Sequence, residues 1–394
     1  MTPCRIILKP KEEIRIVRGH PWVYGNEIAK FEGDIRSGEL AEVFSASGSF
    51  VGKGFLNTAS KILVRLLSRD PASVIDEAFF RQILLRADGF RKETGCGDSY
   101  RVLFGEADGI PGLIVDRYGD YLVVQILSLG IDRRKEMFVK LLVEQFRPAG
   151  ILERSDVPLR KKEGLEEFSG ILYGTVPDTV VLRENEIFLQ VNLKEGQKTG
   201  TFLDQRENHA ALKSYAEGKR VLDCFSHAGG FGLHAARYGA KSVECVDISS
   251  LAVNEIETNA RLNGLSNVTA LRADVFTLLR GYEKENRRFD LLILDPPAFA
   301  KTGEAVERAF AGYKEINLRA MRLLVSGGIL FTCSCSQHMT PELFLEMLTE
   351  AAEDAGKIVQ MVEFRIQGKD HPTLLGSDES LYLKCLVLRV QDKL

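Results

Sequence analysis

The sequence predicts an α/β protein whose C-terminal half is a mostly parallel, doubly wound sheet, preceded by a small β-rich barrel and a middle α+β region. Three observations carry that prediction. From about residue 196, strand-length apolar runs at 220–225, 242–248, 268–274, 289–295 and 327–334 alternate with helix-length segments. Those runs are continuously apolar, as strands covered by helices on both faces must be. The first 70 residues instead show short β-like stretches broken by glycine, such as 39–44 and 62–67.

A length of 394 residues fits two or three domains, and the composition shifts place them at 1–70, 71–195 and 196–394. With 45% apolar and 27% charged residues, disorder, collagen-like repeats and coiled coil are excluded for most of the length. The net charge of −3 argues against a uniformly basic protein but not against a local basic patch. Residues 1–70 carry 11 Lys and Arg against 8 Asp and Glu, and the remainder 41 against 47. A polyanion-binding surface is therefore expected at the N-terminal end. No run of 18 apolar residues suggests a membrane span, and the N-terminus lacks the pattern of a signal peptide. The seven cysteines contain no CxxC pair, which fits neither a disulfide framework nor a zinc cluster; no metal site is expected. These features point to a reduced, cytoplasmic protein.

In the middle region, Val74, Ala78, Phe79, Ile83, Leu84 and Ala87 recur at helical spacing over 74–92, with Gly89 as a stop. The runs 113–118 and 121–126 flank Gly119-Asp120, a two-residue hairpin turn. A helix at 132–146 and strands near 149–153, 171–176 and 186–193 follow. Residues 382–390 form the last strand.

Ligands of doubly wound sheets bind beyond the carboxyl ends of the strands. The first strand leads into Asp223-Cys224-Phe225-Ser226-His227-Ala228-Gly229-Gly230, an acidic residue followed by a glycine turn. A GxGxxG fingerprint is absent, which weakens a dinucleotide reading. The second strand ends at Asp247, placed to accept from ribose hydroxyls. The third ends at Asp274, where an acceptor meets an adenine amino group, and the fourth at Asp295. Taken singly, each carboxylate is a helix N-cap or a solvated loop residue. Four in register on one sheet edge fit a ribose-plus-adenine cofactor that carries positive charge and no pyrophosphate, S-adenosylmethionine.

The chain resembles the bacterial 23S rRNA cytosine-5 methyltransferases with an N-terminal PUA domain, members of the class I S-adenosylmethionine-dependent methyltransferases. The resemblance is carried by Gly19-His20-Pro21-Trp22-Val23-Tyr24, by 109–117, by 197–206 (QKTGTFLDQR), by Asp223 to Gly230, by Asp295-Pro296-Pro297 and by Cys333-Ser334-Cys335-Ser336. It implies a PUA-like barrel, then a Rossmann-like sheet of seven strands. It also implies that Asp223, Gly229, Asp247, Asp274 and Asp295, with the adjoining Phe225, Ser226, Gly230, Ile248 and Val275, surround the cofactor. Many methyltransferases have glycine where His227 stands, so this turn is expected to be bulkier. Ribosomal RNA, 23S foremost, is the implied partner, and the oligomeric state stays open, a homodimer included.

Carbon 5 of cytosine takes a methyl group only after a thiolate has added to carbon 6. The fifth strand delivers Cys333 and Cys335 on one face. Position beyond the strand end favours Cys335, and the resemblance also puts the nucleophile in Ser334-Cys335-Ser336; both thiols as small buried hydrophobes is the plain alternative. Cys224 and Cys245 lie inside strands and read as core. Asp295 is the candidate to bind the cytosine amino group or N3 and assist proton transfer. Pro296, Pro297 and Phe299 adjoin it, Phe299 either stacking on an extruded base or filling core. Lys198, Arg206 and Lys301 are candidate phosphate or carboxylate ligands, or solvated charges. The alternatives are a guanine-base rRNA methyltransferase, which needs no cysteine, a non-catalytic RNA-binding assembly factor, and a small-molecule methyltransferase.

Overall fold

The computed structural model describes residues 4–196, 198–299 and 306–393. Strands β1 (Cys4–Leu8), β2 (Trp22–Tyr24), β3 (Ile28–Glu32), β4 (Leu40–Phe44), β5 (Phe50–Leu56) and β6 (Ile62–Ser68) form one sheet in the order β2-β6-β5-β4-β1-β3, with the short helix α1 (Glu13–Val17) after β1. Alternation along β1 and β4 turns Ile6, Leu8, Ala41 and Val43 onto a core shared with Val23 and Val64.

The middle region comprises helix α2 (Glu77–Glu93), strands β7 (Ser99–Phe104), β8 (Leu113–Tyr118) and β9 (Tyr121–Ile126), helices α3 (Leu129–Asp132) and α4 (Lys135–Phe146), and strands β10 (Gly150–Ser155) and β11 (Phe168–Gly174). Its sheet runs β11-β10-β9-β8-β7, and β8 and β9 form the expected hairpin with Tyr118 opposite Tyr121. Two expectations for α2 need correction. Val74 lies before the helix, whose N-cap is Asp76, accepting from the Phe79 N–H. Gly89 does not stop it: the buried Arg91 donates to both carboxylate oxygens of Asp108, at 2.6 and 2.7 Å. That pair outweighs the roughly 1 kcal/mol that an interior glycine costs a helix. A further hairpin, β12 (Thr179–Glu184) and β13 (Ile187–Asn192), contains one strand more than the sequence pattern suggests.

The chain divides into two compact units, Met1–Leu182, Val191–Leu203 and Lys369–Ser380 in the first, Arg183–Gln190, Asp204–Gly368 and Leu381–Leu394 in the second. The second unit contains helix α5 (Arg206–Ala211), then β14 (Arg220–Cys224), α6 (Gly230–Arg237), β15 (Ser242–Asp247), α7 (Ser250–Leu262), β16 (Val268–Arg272), α8 (Val275–Lys284), β17 (Phe289–Leu294), α9 (Val306–Leu323), β18 (Leu324–Ser334), α10 (Pro341–Ala355), β19 (Lys357–Arg365) and β20 (Lys384–Asp392). Its seven strands run β16-β15-β14-β17-β18-β20-β19. The sheet is mixed: β20 is antiparallel to both β18 and β19, whereas the pairs from β16 to β18 are parallel. Alternation sends Leu222, Cys224, Leu292 and Leu294 into one apolar layer and Val221, Cys245, Leu291 and Ile293 into the other. Strand order reverses between β14 and β17, which opens a crevice beyond their carboxyl ends. Among the described residues no helix is long and apolar enough to cross a membrane.

Candidate active site

The crevice is floored by the turn between β14 and α6. Phe225 and His227 adopt φ values of 62° and 50°, and Gly229 has φ 90°. The left-handed conformation at His227 is one that glycine takes without strain, the physical reason a glycine is common there. Strain of this sort persists only where neighbours hold it. Here Ser226 does so: its Oγ donates to the Asp223 carbonyl at 2.7 Å and accepts from the Val246 N–H at 3.0 Å, stitching the turn to β15.

Asp223 sits within β14 rather than at its tip and is fully buried. One carboxylate oxygen accepts the Gly232 N–H at 2.9 Å; the other, Oδ1, accepts no hydrogen bond of normal geometry. Burial pushes the Asp223 pKa up to about 7, although the nearby Ser226 hydroxyl pulls it down. A buried oxygen without a donor in this crevice fits a cofactor that brings an ammonium group, and the donor set therefore suits S-adenosylmethionine.

The other acidic residues are more occupied than the sequence suggests. Asp247, the last residue of β15, accepts the His227 N–H at 3.0 Å through Oδ2 and the Ser249 N–H at 2.9 Å through Oδ1. Asp274 corrects the expectation of a strand end: β16 stops at Arg272, and Asp274 is the N-cap of α8, accepting from the Thr277 backbone and hydroxyl. It remains exposed, so lone pairs are left for a ligand. Ile248 is exposed beside Asp247, an apolar face at the mouth of the crevice, whereas the Val275 side chain is buried in core.

Asp295 follows β17 directly, and its Oδ2 accepts from Gln205 Nε2 at 2.9 Å. Gln205 is itself held by Asn208, whose Nδ2 donates to Gln205 Oε1 at 2.7 Å. Pro296 is buried and Pro297 exposed. The Phe299 ring packs on Phe225, Phe276 and Tyr313, with centroids 6.4, 6.0 and 4.6 Å away, which ties it to the apolar layer on that face. Arg206 is buried, not a solvated charge, while Lys198 is exposed and belongs to the first unit. Lys301 and Gln197 lie outside the described residues.

The two cysteines of β18 differ sharply. Cys333 is fully buried opposite Cys385, and burial drives its thiol pKa well up. Cys335 stands one residue past the strand, half-buried. Leu294 pairs with Thr332, so Asp295 and Cys335 emerge at neighbouring strand ends, and the Tyr313 hydroxyl lies within electrostatic reach of both. Lys384, on β20 opposite Ser334, is missed by sequence reasoning because it sits inside an apolar strand run. Its buried ammonium donates to the Ser336 and Tyr382 carbonyls at 2.7 and 2.9 Å. Burial pulls its pKa down to about 8, with negative charge at Cys335 opposing the fall.

Also missed is a buried trio of Glu184, His209 and His234, whose ligating atoms lie within 4.8 Å of one another. Glu184 Oε1 is 2.6 Å from His209 Nδ1 and 3.8 Å from His234 Nε2. His234 Nδ1 pairs with the Gly230 carbonyl at 2.7 Å and Nε2 with Asn185 Nδ2 at 3.2 Å. Three histidine- and glutamate-bearing segments that are 25 residues apart leave no spacing signal for a reader of the sequence.

Residues 6–69 match the model of a PUA-like domain, and residues 159–389 that of an S-adenosylmethionine-dependent methyltransferase. Proteins named ribosomal RNA large subunit methyltransferase I from Shewanella amazonensis and Aeromonas salmonicida are 43% and 40% identical, each alignment covering 98% of this chain and 99% of the relative. Among solved structures, a putative SAM-dependent methyltransferase from Streptococcus mutans superposes with a TM-score of 0.83 at 21% identity, over 98% of this chain and 99% of that one. A putative methyltransferase complexed with SAH gives 0.84 at 22%, with the same coverage. Both share the fold.

The raised pKa of Asp223 makes a signed prediction. A carboxyl whose folded pKa exceeds its unfolded value stabilises least once pH has risen through the folded value. Asp223→Asn is therefore expected to stabilise the ligand-free chain by an amount that grows from pH 4 to pH 7 and then levels off, on the order of 4 kcal/mol at most. Urea unfolding at pH 4.5, 6, 7 and 8 measures it; a difference that does not vary with pH counts against a buried, protonated Asp223.

Proposed function

Because the chain belongs to the ribosomal RNA large subunit methyltransferase I family, S-adenosylmethionine-dependent enzymes with a PUA-like domain, we propose that it methylates carbon 5 of a cytosine in large-subunit, 23S ribosomal RNA. The observation that carries the reading is the contrast between Cys333, sealed in the core, and Cys335, half-buried beyond the strand end beside Asp295.

Thiolate addition of Cys335 to carbon 6 makes carbon 5 enamine-like and able to attack an electrophilic methyl group. S-adenosylmethionine supplies that methyl group when bound. A base then takes the carbon-5 proton, the bond from sulfur to carbon 6 breaks, and the thiolate is returned. Asp295, oriented by Gln205, hydrogen-bonds the cytosine amino group or N3 and assists proton transfer. The buried Lys384 ammonium favours the thiolate form of Cys335, since a nearby cation lowers a thiol pKa. The PUA-like domain, in the slightly basic N-terminal segment, grips RNA through shape and backbone. Asp223, Asp247, Asp274 and Asp295, with Phe225, Ser226, Gly229, Gly230, Ile248 and the backbone of Val275, line the cofactor crevice in this reading.

Two predictions test it. Cys335→Ala is expected to lower methyl transfer to rRNA by on the order of a thousandfold or more while cofactor affinity stays within twofold; Cys333→Ala should keep transfer. Labelled cofactor and mapping of the modified base on rRNA from a strain lacking the gene give both readouts. Full transfer by Cys335→Ala would point instead to a base, such as guanine, that is methylated without a thiolate. Lys384→Met is expected to slow alkylation of Cys335 by iodoacetamide about tenfold at pH 7, the rate recovering near pH 10. An unchanged pH–rate profile removes Lys384 from this role.

A further inference from the structure

His209 stands outside the chemistry described so far, yet it is built like a ligand-binding group. It is 94% buried, with 6% of its surface exposed, on α5. Its Nδ1 pairs with Glu184 at 2.6 Å, which fixes the ring and leaves Nε2 as the outward nitrogen. Burial alone works against the charged imidazolium, but Glu184 outweighs it and the pKa is raised, with Asp295 and Asp223 adding to the effect. Nε2 makes no hydrogen bond among the described residues. When the ring takes up its second proton, the Nε2–H calls for an acceptor.

Two facts locate that acceptor. His209 lies one turn beyond Gln205, the residue that caps α5 and donates to Asp295, and it lies within electrostatic reach of Asp295. In addition, a Cβ on Gly230 would lie 2.6 and 2.7 Å from His209 Cε1 and Nε2, so the imidazole abuts the glycine turn that floors the crevice. Across the same turn Asp223 Oδ1 is a buried acceptor without a donor. One unpaired donor and one unpaired acceptor around a single turn are complementary to an α-amino acid zwitterion.

We propose that His209, oriented by Glu184, binds the α-carboxylate of the amino-acid half of S-adenosylmethionine, while Asp223 receives its α-ammonium. The trio with His234 acts as a hydrogen-bonded support: His234 donates to the Gly230 carbonyl and accepts from Asn185, so its nitrogens are both engaged. Glu184 is a positioning residue in this arrangement, and His209 is the group that touches the cofactor.

Calorimetric titration of the full chain with S-adenosylmethionine and with its decarboxylated analogue isolates the carboxylate, the one group by which the two differ. The wild-type chain is expected to prefer S-adenosylmethionine roughly 10- to 100-fold. His209→Ala should abolish that preference while its affinity for the decarboxylated analogue stays within twofold; Glu184→Gln should reduce the preference partway. Equal weakening of both ligands by His209→Ala would mean a structural role and overturn the proposal, as would a wild-type chain that does not discriminate. Binding of the decarboxylated analogue by the wild type keeps this failure distinct from failure of the cofactor assignment itself. Should the variants not fold, NMR of histidine-labelled wild type decides: the His209 ring signals are expected to shift with S-adenosylmethionine and not with the analogue. Retention of one equivalent of zinc through gel filtration, lost in His234→Ala, would also overturn the proposal by giving the trio to a metal.

Discussion

The hydrogen bond from the Gly232 N–H to the buried carboxylate of Asp223 is the constraint from which the site is built. It ties the first turn of α6 to the end of β14 and sets how sharply the chain turns between them. The approach is so close that position 232 admits only glycine: a Cβ there would come 2.2 Å from Cys245 Sγ and 2.9 Å from Asp223 Oδ2. With helix and strand pinned this tightly, the five intervening residues from Phe225 to Gly229 must spend their length in a compact turn, and left-handed conformations at Phe225, His227 and Gly229 follow. Burying a carboxylate with one open oxygen is costly unless a ligand completes it. The strain and the unmet acceptor are thus two aspects of one arrangement.

Around that pin, the topology decides what can meet. Because β14 has β15 on one side and β17 on the other, the carboxylates that follow these strands converge on one edge. Adding β18 beyond β17 brings Cys335 to the same edge, and β20, running antiparallel, returns Lys384 to it from the far end of the sequence. No residue in this set is close to all the others in the chain. Parallel order with short connections aligns strand ends, and the reversed last strand contributes a residue from its start instead of its end.

Much of this was legible in the sequence because it rests on periodic burial. The alternating strands and helices and the hairpin at Gly119-Asp120 follow from apolar spacing, and the place of Cys335 just past its strand from strand position alone. What escaped was whatever depends on a single long-range contact. Gly89 reads as a helix stop until Arg91 is seen to bind Asp108. Asp274 reads as a strand end because the apolar run and the N-cap are adjacent, and only backbone geometry shows the strand stopping at Arg272. Lys384 hides in a strand whose other members are apolar. Glu184, His209 and His234 come from a hairpin and two helices, and nothing local distinguishes them from surface residues.

The acidic residues show why residue type is a weaker guide than valence. Four carboxylates along one edge invite the view that they neutralise a cationic ligand, but Asp247 spends an interaction from each oxygen on backbone N–H groups and Asp274 caps a helix. Each of these carboxylates keeps lone pairs for hydroxyl or amino donors, since an ionised oxygen accepts more than one hydrogen bond. Their charge, however, is already used to hold the turns that shape the crevice. Of the four, only Asp223 has a buried oxygen unmet among the described residues, and there burial holds the pKa near neutrality. Of the four carboxylates on this edge, Asp223 is therefore the one the fold leaves with a buried oxygen unmet, while Asp247 and Asp274 are spent on shaping the turns around it.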